Sequence, residues 1–399
     1  MSTVGIQPGG EQPLAAPPAT SGPPAPLASA GNLSQRRRAI AFGVLAAAAL
    51  VVLIAIGSRG FRWFDAALIG YAVGSVFALA AVTYKYTFWL MRPQTGRYFW
   101  RSWRLFFSFE NFRRYTALIP SAIVSGLFTQ GFIRQRGPNQ RTGFYRWATH
   151  QSIFWGVVLS CAITFPLTFG WLRFTQTSAH DYRIWVFGFP FFNFDPNSVF
   201  GYLVYHALVI TSIPLLVGVI LAFHRRFHDL AQIAIQRFRF DLMPLALLFA
   251  IVITGVALTA DSTFFAGTYY WFISLTHEAV VVFWLISLPF GKFFHIIQRP
   301  ATVGIELYWR TGEDTPQHAC PRCGRVFVPE RFIRDLKRTS YDIGQNYAVM
   351  ADAPQASPAA PREEAISITW WQDFCPDCKR VMRGQANLAA MGRDGNRFL

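Results

Sequence analysis

Four histidines form two pairs with equal spacing, and imidazoles at this spacing could bind iron at two depths of a membrane. His277 and His295 are eighteen residues apart in one apolar stretch, and His206 and His224 repeat the interval in another. Eighteen residues are about five turns of α-helix, a rise of about 27 Å, and return to the same face. Because a bilayer core is about 30 Å thick, each stretch would place one imidazole near either surface. Two layers of imidazole are what a pair of membrane haems requires.

The composition indicates a membrane protein. The 399 residues are 52% hydrophobic and 17% aromatic, and only 15% are charged, whereas soluble domains average about 25% charged residues. The formal net charge of +16 could suggest a nucleic-acid partner. However, the basic residues lie between apolar segments rather than on one soluble face, which is typical of topology signals and contact with anionic lipid. We therefore expect a bilayer environment and no nucleic acid.

The apolar pattern predicts an all-α membrane protein with about six transmembrane helices. Residues 1–34 read as a disordered tail, and 35–91 hold the first two spans. Segment 92–146 contains ten arginines and one acidic residue and is interpreted as amphipathic helices on the cytoplasmic surface, with a re-entrant or seventh span through 117–133 as the alternative. The predicted spans are 39–57, 64–91, 150–173, 200–224, 241–261 and 271–297.

The basic loops predict the orientation of these spans in the plasma membrane. Segment 92–146, the link after the fourth span and the end of the sixth span are rich in basic residues and should be cytoplasmic. A multi-pass protein with both termini in the cytoplasm satisfies all three assignments. The histidines then fall into an inner layer and an outer layer, with His150, His224 and His295 inside and His206 and His277 outside.

The layers predict two bis-histidine sites, although a single membrane histidine is often only a hydrogen-bonding group between helices. His277 is expected to face His206 across the outer site. His295 is expected to bind in the inner site with either His150 or His224. The remaining histidines, His180, His228 and His318, lie in polar or basic surroundings and are not predicted as haem ligands.

Four of the five cysteines predict a separate metal site. Cys320-Pro-Arg-Cys323 and Cys375-Pro-Asp-Cys378 are two knuckles, each of which can direct two thiolates to one ion with tetrahedral geometry. A zinc ribbon is the preferred interpretation, and a rubredoxin-like iron site is the alternative. Paired knuckles indicate a reducing compartment, so residues 300–399 are expected to form a small cytoplasmic four-cysteine metal-binding domain.

Residues 145–297 resemble the gamma-subunit family of respiratory nitrate reductase, which includes the membrane cytochromes of heterodisulfide reductase and related sulfur-metabolism complexes. The stretch RWATHQSIFWGVVLSCAIT is similar to a family helix in which F-W-G follows a histidine. HEAVVVFWLISLPFGKFFHI is similar to the last core helix, with a turn at Pro289-Phe290-Gly291-Lys292. The resemblance covers well under half of the chain.

The resemblance implies a four-helix core, residues 147–299, that holds two b haems. It also implies electron transfer between quinone and a cytoplasmic iron–sulfur or flavin subunit. His150 matches the first histidine of the family's first core helix and would pair with His295. The second matching position is Ser160, so the outer partner of His277 is missing from its expected helix, and His206 would replace it.

The predicted function is that of a membrane cytochrome b subunit with two haem b groups, one Zn²⁺ or Fe ion in the tail, and a quinone such as menaquinone as substrate. The chain would be the electron-transfer subunit of a quinone-linked oxidoreductase complex. Two alternatives need no haem: a six-span transporter with His206 and His277 in a proton relay, and a membrane scaffold that recruits proteins through a zinc ribbon. Haem content distinguishes the first function from the other two.

Overall fold

The computed structural model describes residues 30–107, 113, 116, 118–136, 140–178, 180–313, 315–345, 347 and 366–390. The predicted disordered tail falls outside these residues, except for its last five positions, which begin the first helix. Two compact units are formed. The membrane unit comprises Leu33–Met91 and Phe106–Leu307, and the tail unit comprises Arg92–Leu105 together with the described chain from Tyr308 onward.

Six helices in the described part of the chain are long and apolar enough to cross a membrane, in agreement with the predicted spans. Their surfaces are apolar: Val44, Leu45 and Ile56 are each more than 60% exposed, which suits lipid rather than water. The longer helices are α1 Ala30–Gly57, α2 Ile69–Leu90, α3 Pro93–Phe107, α4 Gln140–Thr168, α5 Val199–His228, α6 Met243–Phe264, α7 Tyr270–Ser287, α8 Phe294–Glu313, α9 Glu330–Asp342 and α10 Pro376–Ala390. The candidate spans are α1, α2, α4, α5, α6 and α7.

The core of the membrane unit is shared by α2 and the four helices α4 to α7. Helices α4 and α5 are in very close contact, because a Cβ atom added at Gly156 would stand 2.5 Å from Cβ of Leu215. Ser160, where the resemblance would place a second histidine, lies 3.0 Å from the Thr211 hydroxyl of α5 and links the two helices.

A three-stranded antiparallel sheet departs from the predicted all-α fold. Strands β1 Leu172–Gln176, β2 Tyr182–Val186 and β3 Phe189–Phe194 lie in this order between α4 and α5. Their aromatic side chains favour strands, but each strand is too short for the sequence to distinguish it from a loop. The sheet packs on the ends of α1 and α5, where the Trp171 indole donates to the Leu53 carbonyl and Phe194 contacts Tyr205. We call this side of the bundle the sheet side.

The predicted sixth span, 271–297, is wrong at its end. Helix α7 stops at Ser287, a turn follows, and His295 belongs to the separate helix α8. Pro289 has no backbone N–H and its ring disfavours a continuing helix. His277 and His295 therefore do not lie five turns apart on one helix. That separation still applies to His206 and His224, which share the uninterrupted helix α5.

The basic segment 92–146 is divided between the units. Its first helix, α3, belongs to the tail unit, where Arg97 pairs with Asp342 of α9 and Arg101 pairs with Asp335. Residues 118–136 form short helical turns that break at Gln130, whose φ is +48°. These described residues form no continuous seventh span.

The tail unit is built on a β-hairpin and two helices. Strands β4 Gln317–Ala319 and β5 Val326–Pro329 are antiparallel and lead directly into α9. Asp335 is 1% exposed and accepts a hydrogen bond of 2.6 Å from the Tyr308 hydroxyl, in addition to its pair with Arg101. Removing a partner from a buried charge is costly. These contacts therefore hold Arg101 of α3 and Tyr308 of α8 against Asp335 of α9.

Candidate metal and haem sites

The four predicted metal ligands meet in the tail unit. One Sγ atom from each of Cys320, Cys323, Cys375 and Cys378 lies within 4.8 Å of every other. The Sγ atoms of Cys323 and Cys375 are 3.7 Å apart, and a tetrahedral ion with bonds of about 2.3 Å to sulfur has edges of about 3.8 Å. The spacing therefore fits a tetrahedral site with four thiolate ligands, as the sequence predicts.

Local structure explains why the knuckles converge. The first knuckle is the turn of the β4–β5 hairpin, where the Gly324 N–H donates to the Cys320 carbonyl at 2.8 Å. Gly324 has φ +70°, a conformation that glycine adopts without strain. The second knuckle begins α10, and the Cys378 N–H points to Sγ of Cys375 at 3.5 Å. Free N–H groups at a helix start favour negative charge.

Three of the four cysteines have shifted pKa values that bear on cation binding. Burial raises the pKa of Cys320, but backbone N–H groups of Cys375, Cys323 and Arg322 outweigh it and lower the value to about 6. The N–H of Cys378 likewise lowers the pKa of Cys375. Burial and the neighbouring thiols raise the pKa of Cys378 to about 12. Cys320 and Cys375 therefore form thiolates readily, whereas Cys378 would need a bound dication in order to ionise.

Asp373, two residues before Cys375, joins α9 to β4, and no motif in the sequence indicates this role. Its carboxylate lies 2.7 Å from Nζ of Lys337 and 3.3 Å from Nε2 of His318. It also accepts a hydrogen bond from the Trp370 N–H at 2.6 Å. His318 is therefore engaged by Asp373.

On the side of the bundle opposite the sheet, the structure brings His150 and His295 together. Both imidazoles are half-buried, and His150 lies within electrostatic range of His295 and Arg299. The described contacts include no hydrogen bond or ring contact between the two histidines. Among the described residues, Nδ1 of His150 is buried and has no hydrogen-bond partner. Two histidines in this arrangement are candidate axial ligands of one haem.

His295 is held in a form that can bind iron. Its Nδ1–H donates to the Lys292 carbonyl, which leaves the lone pair on Nε2. Burial lowers the pKa of His295, although the carbonyl bond opposes this effect. The neutral imidazole is therefore favoured, and it is the form that coordinates metals.

His224 does not take part in this arrangement. It is exposed, and its ring stacks on that of His228 at 4.3 Å between centroids. Lys292, in the turn before α8, lies 2.7 Å from Asp241, which also pairs with Arg226 at 3.1 Å. The described contacts thus favour His150 over His224 as the partner of His295.

On the sheet side, His277 packs against α6 and α2. Its Nδ1 is 2.8 Å from Oγ1 of Thr254, and a Cβ atom at Gly255 would stand 3.3 Å from its Cε1. Tyr71 of α2 lies 6.5 Å away between ring centroids. Because contacts between helices cannot be read from spacing along one chain, the sequence did not indicate Thr254 or Gly255.

His206 lies as far from the start of its helix as His277 does from the start of its own. Each follows the first residue of its helix by seven positions, 199 to 206 and 270 to 277, or about 10 Å. The His206 ring stacks on Tyr202 at 4.0 Å, and its Nδ1–H donates to the Tyr202 carbonyl at 2.8 Å. Among the described contacts, none joins His206 to His277.

The histidine tautomers are compatible with iron binding, but they do not distinguish the predicted haem ligands from other histidines. In His206 the proton on Nδ1 leaves Nε2 free, as in His295. His228, which is not predicted to bind haem, makes the same kind of bond to the His224 carbonyl. Proximity of two imidazoles is therefore the more informative observation, and it favours the His150–His295 site.

Comparison with known proteins adds no relative to this picture. No protein-family model, no curated protein and no solved structure matches the chain. The resemblance of residues 145–297 to the nitrate reductase gamma-subunit family therefore stays a prediction that rests on its motifs.

Proposed function

We propose that the chain is a membrane cytochrome b subunit that transfers electrons between the quinone or menaquinone pool and a cytoplasmic iron–sulfur or flavin subunit. The observation that carries the proposal is that His150 of one helix and His295 of another lie within electrostatic range of each other.

The histidines would act as axial ligands at two depths. His150 and His295 would hold the haem opposite the sheet, and His277 would hold the haem on the sheet side, with His206 as the proposed second ligand. A bis-imidazole haem supplies reversible one-electron transfer without an open iron position. The protein residues fix the imidazole tautomers, exclude water from the bundle core and set the local polarity.

The four-cysteine site gives the tail unit a distinct role in this proposal. A structural zinc ion would stabilise the hairpin and α10 as a docking surface for the soluble subunit. An iron ion would make the same site a one-electron relay.

A quinol should reduce the purified protein. Anaerobic addition of a menaquinol analogue to the protein in lipid nanodiscs is expected to produce the sharp absorption bands of reduced b haem. Dithionite gives the fully reduced reference in the same sample. Reduction by dithionite but not by any quinol would refute the quinone link, while leaving the haem sites intact.

Thr254 should position His277 and tune its haem. Its only hydroxyl proton is directed to the Ala250 carbonyl at 2.6 Å, so the His277 Nδ1–H donates to Oγ1 at 2.8 Å. Thr254→Val removes this acceptor and should make the ligand less basic. We expect haem to be retained and its midpoint potential to rise by roughly 20–40 mV, since a hydrogen bond contributes about 0.5–1 kcal/mol.

Redox titration of the variant measures this shift. Thr254→Ser keeps the hydroxyl and should restore the wild-type potential. An unchanged potential in Thr254→Val would show that the contact does not act on a bound haem.

A further inference from the structure

The β2–β3 hairpin on the sheet side exposes a cluster of phenylalanines. Phe189 and Phe191 are each 73% exposed, and Phe187 and Phe192 are 44% and 42% exposed. Strand β3 is an edge strand, because the sheet order is β1-β2-β3. Large aromatic side chains clustered on an edge strand are unfavourable in water and mark an interaction surface.

The hairpin is held firmly in place. Arg59, in the link after α1, donates to the Gly188 carbonyl at the hairpin turn. Its guanidinium lies 4.7 Å from the Trp63 ring centroid, and Trp63 packs edge-to-face on Trp185 of β2 at 5.2 Å. On the other side of the turn, Phe187 stacks on Trp171 at 5.2 Å. These contacts fix the exposed phenylalanines relative to the end of α1.

The exposed rings continue into the surface of a membrane helix. Phe191 contacts Phe192 at 5.4 Å, and Phe192 contacts Phe200 in the first turn of α5 at 5.5 Å. Val199 and Leu203 of α5 are 80% and 51% exposed. One apolar surface therefore runs from strand β3 to the outside of a candidate membrane span.

The backbone polar groups of the hairpin determine the depth at which it can lie in the membrane. Strand β3 has no charged residue, and Pro190 lacks a backbone N–H, yet the other N–H and C=O groups along a free edge still need partners. Such an edge is not stable in hydrocarbon but is stable among headgroups and water. Aromatic side chains concentrate at the same level of a bilayer.

The geometry points to a lipid-binding hairpin: Phe189 and Phe191 lie in the headgroup and upper acyl region of the leaflet on the sheet side. The occupant is phospholipid, because the surface is continuous with the lipid-exposed face of α5. The inference is independent of haem binding. A second copy of the chain or another protein on this surface would contradict it.

Photo-crosslinking from positions 189 and 191 tests the inference. p-Benzoylphenylalanine, which preserves the phenylalanine ring, would replace each residue separately in the full-length protein in phosphatidylglycerol–phosphatidylcholine nanodiscs. After irradiation, mass spectrometry should detect phospholipid adducts at both positions, at levels similar to those from position 283, an exposed phenylalanine of α7. Position 174, whose ring packs on Phe194 and Tyr205, is the half-buried control and should give far fewer.

Two outcomes would overturn the inference. Adducts at position 283 without adducts at 189 and 191 would place the hairpin in water. Crosslinks from 189 or 191 to protein instead of lipid would identify the surface as a protein interface.

Discussion

His295→Ala chains are expected to retain about one haem instead of about two, because the other axial ligand alone does not hold the iron firmly. The remaining haem should be the one bound by His277 on the sheet side. His150→Ala should give the same loss, since the two imidazoles approach one another from α8 and α4. Haem per chain, measured by pyridine haemochrome and normalised to protein, provides the readout.

Two matched histidines control for general damage to the bundle. His228→Ala alters an exposed ring, and His224→Ala alters its stacking partner; both variants should keep the wild-type haem content. If His224→Ala loses a haem and His150→Ala does not, the assignment of the ligand opposite the sheet is incorrect. If His295→Ala loses none, the site itself is refuted.

Cys375→Ser is expected to release the metal ion of the tail. The thiolate is buried at the start of α10 and lies 3.7 Å from the sulfur of Cys323, so its loss removes one of four ligands. Because metal binding to such sites supplies about 10–16 kcal/mol, we expect metal content to fall from about one ion per chain to below about 0.1. Both haems should remain, since no tail cysteine belongs to the membrane unit.

Elemental analysis of the purified protein, after subtraction of haem iron, measures this loss and also identifies the ion. Cys161→Ser is the control, because Cys161 packs against the core of the membrane unit and should not affect the metal. Retention of a full complement of metal in Cys375→Ser would contradict a site shared by the four cysteines.

The parts of the fold that depend on composition could be predicted from the sequence. A span is recognised because about twenty apolar residues suffice to cross a bilayer, and six such helices are present in the described chain. The four-cysteine cluster was predictable because each C-x-x-C turn fixes two ligands locally, and only the pairing of the knuckles depends on the fold.

The parts that depend on contacts between elements could not be predicted. The predicted separation of five helical turns between His277 and His295 requires one continuous helix. However, α7 ends before Pro289, and a new helix carries His295. The sheet was missed because three short aromatic strands in a loop carry little periodic signal. The contact of Thr254 with His277 joins α6 to α7 and has no signature along the chain.

The family resemblance also implies a second histidine in α4, but Ser160 occupies that position. Where the resemblance would place a second histidine, Ser160 lies within hydrogen-bond distance of Thr211, and α4 and α5 pack closely. A second ligand of the proposed sheet-side haem is therefore expected from another helix. His206 remains the prediction, although it is not in described contact with His277.

The most direct test of the proposed cytochrome function is a dithionite-reduced minus oxidised spectrum of the wild-type protein, purified in lipid and quantified as haem per chain. We expect sharp b-type bands that correspond to about two haems per chain. A value of one haem per chain would support the His150–His295 site and exclude His206 as a haem ligand. A protein without haem, isolated from cells that supply it, would contradict the cytochrome assignment and leave the transporter and scaffold functions.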